Sequence, residues 1–114
     1  MSIPATTNGL PAIHPGYYLR EILEDLGMSQ AAFARSVGVS RMRISHVARE
    51  ARPVTAELAL RFGLAFGQTA QYWINLQNAY DLKLAEREWK AELRKVRPLA
   101  AGTLRPRRFS AGSG

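Results

Sequence analysis

The residues best suited to chemistry lie between Ser29 and Val47, in SQAAFARSVGVSRMRISHV. Arg41, Met42, Ser45 and His46 bring a guanidinium, a thioether, a hydroxyl and an imidazole close together. These groups suit base edges in a DNA major groove: an arginine donates two hydrogen bonds to guanine O6 and N7, and a methionine meets a thymine methyl. Arg43, Arg49 and Arg52 add charge suited to phosphates, which gives affinity rather than sequence choice. Gln30 and Ser40 stand where helices begin, so they are expected to hold phosphates or to orient neighbouring side chains, helped by free N–H groups.

Such side chains act only if the backbone aims them outward. The stretch reads as two short helices joined by a tight turn. Ala34 is small where the helices cross, Gly38 suits a turn position with positive φ, and Ile44 and Val47, three apart, point inward. A helical hairpin without nucleic acid has the same apolar skeleton. The arginines on the outer face of the second helix favour the binding reading.

Charge is placed to match. Of a net +7, six charges lie in residues 94–108, as Arg94, Lys95, Arg97, Arg105, Arg107 and Arg108 with no acid. Residues 28–53 hold Arg35, Arg41, Arg43, Arg49 and Arg52 against Glu50 alone. A basic patch on a helix pair suggests phosphate contact, whereas a basic tail is less specific.

Other classes find little support. With no cysteine there is no disulfide framework and no thiolate metal site. His14 and His46 are far apart with no carboxylate in a ligand spacing, so no metal and no cofactor are expected. No nucleophile elbow or phosphate-cradling glycine loop is present, which argues against an enzyme. No apolar run approaches the roughly 18 residues of a membrane span, and residues 1–16 lack a charged n-region and apolar core. A cytoplasmic protein with no membrane association is expected.

No stretch alternates with period two for long, so the class is all-α. Residues 1–13 read as a flexible arm. A helix-turn-helix domain follows over 14–84, with helices at about 15–26, 30–37, 41–50 and 56–66, and a fifth from Ala70. Ser29, Ser40, Thr55 and Thr69 can cap them at their starts, and Gly27, Gly38 and Gly67 fit their ends. The first helix sets Leu19, Ile22, Leu23 and Leu26 on one face.

The fifth helix is expected to run to Val96, with residues 85–96 as an extension and 97–114 as a basic, flexible tail. It carries two apolar stripes. Tyr72, Trp73, Leu76, Tyr80 and Leu84 serve the core or a dimer contact. Leu82, Ala85, Trp89, Leu93 and Val96 form the second, which leaves Trp89 and Leu93 as candidates for a partner surface.

Gln30, Ala34, Gly38, Ile44 and Val47 resemble the helix-turn-helix of the phage-repressor-like (XRE) family. His14-Pro15-Gly16, Leu19-Arg20-Glu21, Gly27-Met28-Ser29-Gln30, Arg52-Pro53-Val54-Thr55 and Trp73-Ile74-Asn75-Leu76-Gln77 with Tyr80-Asp81-Leu82 resemble HigA-type antitoxins, over about residues 13–85. The resemblance implies a five-helix, repressor-like fold with an extended C-terminal helix. It implies a homodimer that binds double-stranded operator DNA, represses its own operon, and neutralises a RelE-like (HigB-type) toxin that cleaves mRNA. By position it places Arg41, Met42, Ser45 and His46 on the groove-facing helix, and Trp73, Leu76 and Tyr80 on the helix used for core and dimer contact. The chain departs from the family at Arg49-Glu50-Ala51, where an Asn-Gly-Lys-like turn is usual, and after Lys83. Two alternatives stand beside this reading: a toxin-binding module with weak DNA binding, and a solitary XRE-type regulator without a toxin.

Overall fold

The chain is described here by a computed structural model covering residues 11–99. The expected arm at 1–13 and basic tail at 97–114 therefore lie largely outside the described residues. Within them are six helices and no strand: α1 (Pro15–Leu26), α2 (Gln30–Val37), α3 (Arg41–Ala48), α4 (Ala56–Phe66), α5 (Ala70–Glu88) and α6 (Lys90–Leu93).

Local chemistry fixes the starts. Ser29 Oγ accepts from the Ala32 N–H at 3.0 Å, Ser40 Oγ from Arg43 at 3.1 Å, Thr55 Oγ1 from Leu58 at 3.2 Å and Thr69 Oγ1 from Tyr72 at 3.2 Å. Each satisfies an N–H with no intrahelical partner. At α1 the cap is His14, whose Nδ1 accepts from the Gly16 N–H at 2.8 Å, with Pro15 at the first helical position. Gly27, Gly38 and Gly67 end α1, α2 and α4 in the left-handed region.

Packing joins these pieces around aromatic rings. Phe33 of α2 stacks on Phe66 at 5.0 Å and tilts against Phe62 at 5.4 Å. The edge of Trp73 meets Phe62 at 5.2 Å, and its indole N–H donates to Gln68 Oε1 at 2.7 Å. Leu19, Ile44, Val47, Phe62 and Trp73 are all buried. α5 packs on α4 and also reaches α1, while α3 is held between α1 and α2.

The approach of α1 to α3 is very close. A Cβ on Gly16 would lie 2.1 Å from the Val47 carbonyl oxygen. His14, Pro15 and Gly16 thus act as one unit: a cap, a preset φ and a missing side chain that lets α3 dock.

Several expectations are corrected. Leu26 is 57% exposed, because α1 outruns the body that covers Leu19 and Leu23. α3 stops at Ala48, two residues before Glu50, which takes φ 66°. Of the first apolar stripe, Trp73 is buried and Leu76 and Tyr80 are half-buried, while Tyr72 and Leu84, both 40% exposed, lie outside the core of the single chain. The fifth helix does not run on to Val96: it ends at Glu88, and Trp89 (φ −104°, ψ 15°) separates it from the one-turn α6. Every residue from Leu84 to Leu99 is exposed. That segment has left the body, and without burial a helix rests on marginal local propensity.

Gly16→Ala is expected to destabilise the fold by about 2 kcal/mol, the scale of overpacking a tight contact. Chemical denaturation measures this; an unchanged midpoint would show that α1 and α3 separate at little cost. His14 gives a pH dependence. Burial holds its pKa below the ordinary 6.5, opposed by the charge of Glu50, a hydrogen bond the ring donates to the Arg52 backbone and the charge of Asp81. The unfolded chain therefore binds the proton more readily. Stability is full above about 6.5 and falls as pH drops through the folded value. His14→Asn replaces the capping nitrogen with a capping oxygen and removes the titration, so its melting temperature should fall less between about pH 7 and 5. Parallel melting curves for the two proteins would exclude His14 as the source.

Candidate nucleic-acid interface

α2 and α3 meet at Gly38, whose φ of 76° no β-carbon-bearing residue takes cheaply. Ala34, Ile44 and Val47 are buried at the crossing, and Ala48 with them. With one side of α3 committed inward, its other side chains must face out. Arg41 and Met42 are exposed, Met42 at 63%, while Arg43, Ser45 and His46 are half-buried.

The structure gathers the expected side chains into two adjoining depressions. One is lined by Arg41, Met42, Ser45, His46 and Arg49. The other, between α3 and the start of α4, is lined by Arg43, His46, Arg52, Pro53 and Thr55 among others. His46 borders both. Ser40 Oγ is occupied as the α3 cap. Gln30 is half-buried at the start of α2 and lines neither depression.

The cations are not equivalent. Among the described residues no ion pair holds Arg41, Arg49 or Arg52. Arg43 Nη2, by contrast, lies 3.1 Å from Glu57 Oε1. Glu57 Oε2 receives Arg61 Nε at 3.0 Å, and Arg61 Nη1 donates to the Val37 carbonyl at 2.7 Å. The hydrogen bonds from Arg43 and then Arg61 hold the Glu57 carboxyl below the usual carboxylate range.

Three further contacts, unseen in the sequence, set the reading face. Arg20 of α1 donates to the Ala48 carbonyl at the end of α3, and to Glu50 Oε2 at 3.1 Å. Its guanidinium also lies over the Tyr17 ring, 5.8 Å from the centroid. Gln77 of α5, 6% exposed, accepts from the Val54 N–H at 2.8 Å and donates to Asp81 at 2.9 Å, which ties α5 to the loop after Arg52. His14 packs edge-on against Tyr80 at 4.9 Å. Unlike these long-range contacts, the Glu57–Arg61 and Gln77–Asp81 pairs, each four apart on one helix, have a signal in the sequence.

A short capped helix, packed across another and presenting cations and hydrogen-bonding groups outward, defines the helix-turn-helix class. A helix-turn-helix family model matches residues 19–73. The chain is 48% identical to virulence-associated protein I of Dichelobacter nodosus, over 88% of this chain and 93% of that protein. An addiction module antidote protein of the HigA family from Coxiella burnetii superposes with a TM-score of 0.77 at 36% identity, covering 79% of this chain and all of that one. The Pseudomonas aeruginosa antitoxin HigA, solved with the higBA promoter, gives 0.75 at 37% identity, over 78% and 99% of the two chains. The protein belongs to the HigA-type antitoxins of the XRE helix-turn-helix family. Among the described residues, no helix is long and apolar enough to cross a membrane.

Proposed function

We propose that this protein is the DNA-binding antitoxin of a toxin–antitoxin system, acting on its own operator as a homodimer and neutralising a RelE-like, mRNA-cleaving toxin of the HigB type. The observation that carries the DNA-binding part is the α3 face: Arg41, Met42, Ser45, His46 and Arg49 share one depression at the exposed side of a docked helix. The promoter-bound state of the P. aeruginosa HigA supports the same use of the fold. In this reading Arg41, Met42, Ser45 and His46 meet base edges. Arg43, Arg49 and Arg52 meet phosphates, and Gln30 and Ser40 hold phosphates or orient neighbouring side chains. A homodimer presents two α3 helices about 34 Å apart on a palindromic site. Repression follows from occupancy of the promoter, and bound toxin adjusts that occupancy.

Arg41→Ala tests the reading. On the chain's own upstream DNA it is expected to cost about 1–3 kcal/mol and to relax sequence choice near the contact. Equal loss on upstream and scrambled duplexes, measured by fluorescence anisotropy, would assign Arg41 to the backbone instead.

A second observation bears on the protein partner. Leu82 is 63% exposed, Trp89 and Leu93 each 50%, and Val96 70%. Such an apolar run favours coverage by protein, either a second copy or the toxin. This is also what the toxin-binding alternative rests on; a solitary regulator would leave only dimerisation to cover it. Light scattering on chains ending at Val96 and at Leu84 separates the two. Loss of the dimer in the shorter chain places the seam on Trp89 and Leu93. Dimers of equal strength make this stretch a toxin surface, and loss of toxin co-purification with the shorter chain is then expected.

A further inference from the structure

The DNA-reading face carries an acid that electrostatics alone would exclude. Glu57 stands in the first turn of α4, beside the depression lined by Arg43, His46 and Arg52. A carboxylate there repels every phosphate that approaches.

The geometry shows what it does instead. Both carboxylate oxygens are engaged, Oε1 by Arg43 at 3.1 Å and Oε2 by Arg61 at 2.9 Å. Arg61 is itself anchored, because Nη1 donates to the Val37 carbonyl at the end of α2. Glu57 is thus held in place from behind, a fixed acceptor rather than a wandering side chain. Arg43 is the member of the trio on α3, next to Met42 and one turn before His46 and Val47. Its side chain is 42% exposed, so Arg43 can leave Glu57 for a phosphate while Arg61 keeps the carboxylate in place.

We infer that Glu57 is a specificity-determining residue: it holds Arg43 away from phosphates on arbitrary DNA and yields it only where operator contacts fix the backbone beside it. The inference rests on the proposed DNA-binding role. Its physical basis is that non-specific affinity follows the number of cations free to neutralise phosphate, each adding about 0.9 to the slope of log K against log salt. Withholding one cation weakens binding to every sequence. The operator recovers the contact because base readout by Arg41 and His46 pins α3 close to the phosphates. The low carboxyl pKa means that Glu57 stays charged throughout the neutral range, so the hold does not depend on pH there. Arg41, Arg49 and Arg52, with no acid paired to them among the described residues, supply the ungated attraction.

Four full-length proteins test this: wild type, Glu57→Gln, Arg43→Gln and the double variant. Binding to the upstream duplex and to a scrambled duplex of equal length is measured across a salt series. Glu57→Gln keeps an acceptor oxygen at an exposed position, and a thermal melt confirms its fold. On scrambled DNA it should bind roughly three- to tenfold tighter at low salt, with a slope steeper by about 0.9. The ratio of operator to scrambled affinity should fall. Adding Arg43→Gln should return the slope to the wild-type value, whereas Arg43→Gln alone should change it much less. An Arg43 effect of equal size in both backgrounds overturns the inference. So does equal tightening on both duplexes, or a selective loss on the operator, which would make Glu57 a direct base reader. A wild-type chain that does not distinguish the two duplexes overturns the DNA-binding reading as well; wild-type discrimination with an unchanged ratio in Glu57→Gln overturns this inference alone.

Discussion

An eight-residue helix does not persist alone in water. Nucleation fixes several residues for one hydrogen bond, and α3 is too short to recover that cost. Its existence depends on docking, and the structure supports it from every side. Ile44, Val47 and Ala48 are buried beneath it. Ser40 satisfies an orphan N–H at its start. Arg20 reaches across from α1 to the Ala48 carbonyl at its end, an acceptor without an intrahelical partner. Gly16 gives up its side chain so that the Val47 carbonyl can approach α1. The exposed face is what remains once these demands are met. That is why Arg41, Met42, Ser45 and His46 are presented together: the core uses the opposite side.

How much of this is legible in the sequence depends on range. Caps are local, since a serine or threonine bonds an N–H three residues on, so Ser29, Ser40, Thr55 and Thr69 mark their helices without tertiary knowledge. The glycine stops after α1, α2 and α4 are local in the same way. Arg20 and Gln77 are not. Arg20 meets Glu50 thirty residues on, and Gln77 meets Val54 twenty-three residues back, and nothing near either residue announces the partner. His14 shows an intermediate case. Its pairing with Pro15 and Gly16 is visible as a motif, but the reason for the glycine lies on α3. Leu26 fails for a geometric reason: helical spacing assigns it to the apolar face, yet periodicity does not say where the body stops covering that face.

The turn at Arg49-Glu50-Ala51 is where sequence and backbone disagree most. Where the family's usual turn has glycine, Glu50 occupies φ 66°, the only such non-glycine among the described residues. A left-handed residue with a β-carbon costs about 1–2 kcal/mol. The compensation is electrostatic and partial: Glu50 accepts from Arg20, which already holds the end of α3. An exposed pair of this kind contributes at most about 1 kcal/mol. Its value is therefore geometric. It fixes the loop that carries Arg49 and Arg52, and the Gln77 bond to Val54 fixes the same loop from the other side.

These constraints separate two kinds of surface on one small protein. The α3 face is held because Ser40 caps its start and the carbonyls of Ser45, His46, Val47 and Ala48 at its end all have partners, and a held face is what groove reading needs. The segment after Leu84 is the opposite. α5 stops at Glu88 with no proline or glycine to stop it, Trp89 leaves helical geometry, and α6 lasts one turn. Its apolar side chains face outward with no internal surface to set their arrangement. A reading face must be preorganised before its ligand arrives, because discrimination between sequences is lost if the helix can adjust to each. A segment that binds a folded partner has no such need, since the partner supplies the missing contacts and can straighten the helix as it docks. The contrast between a clamped α3 and an unclamped α5 end fits one chain that meets DNA with a fixed shape and meets protein with an adaptable one.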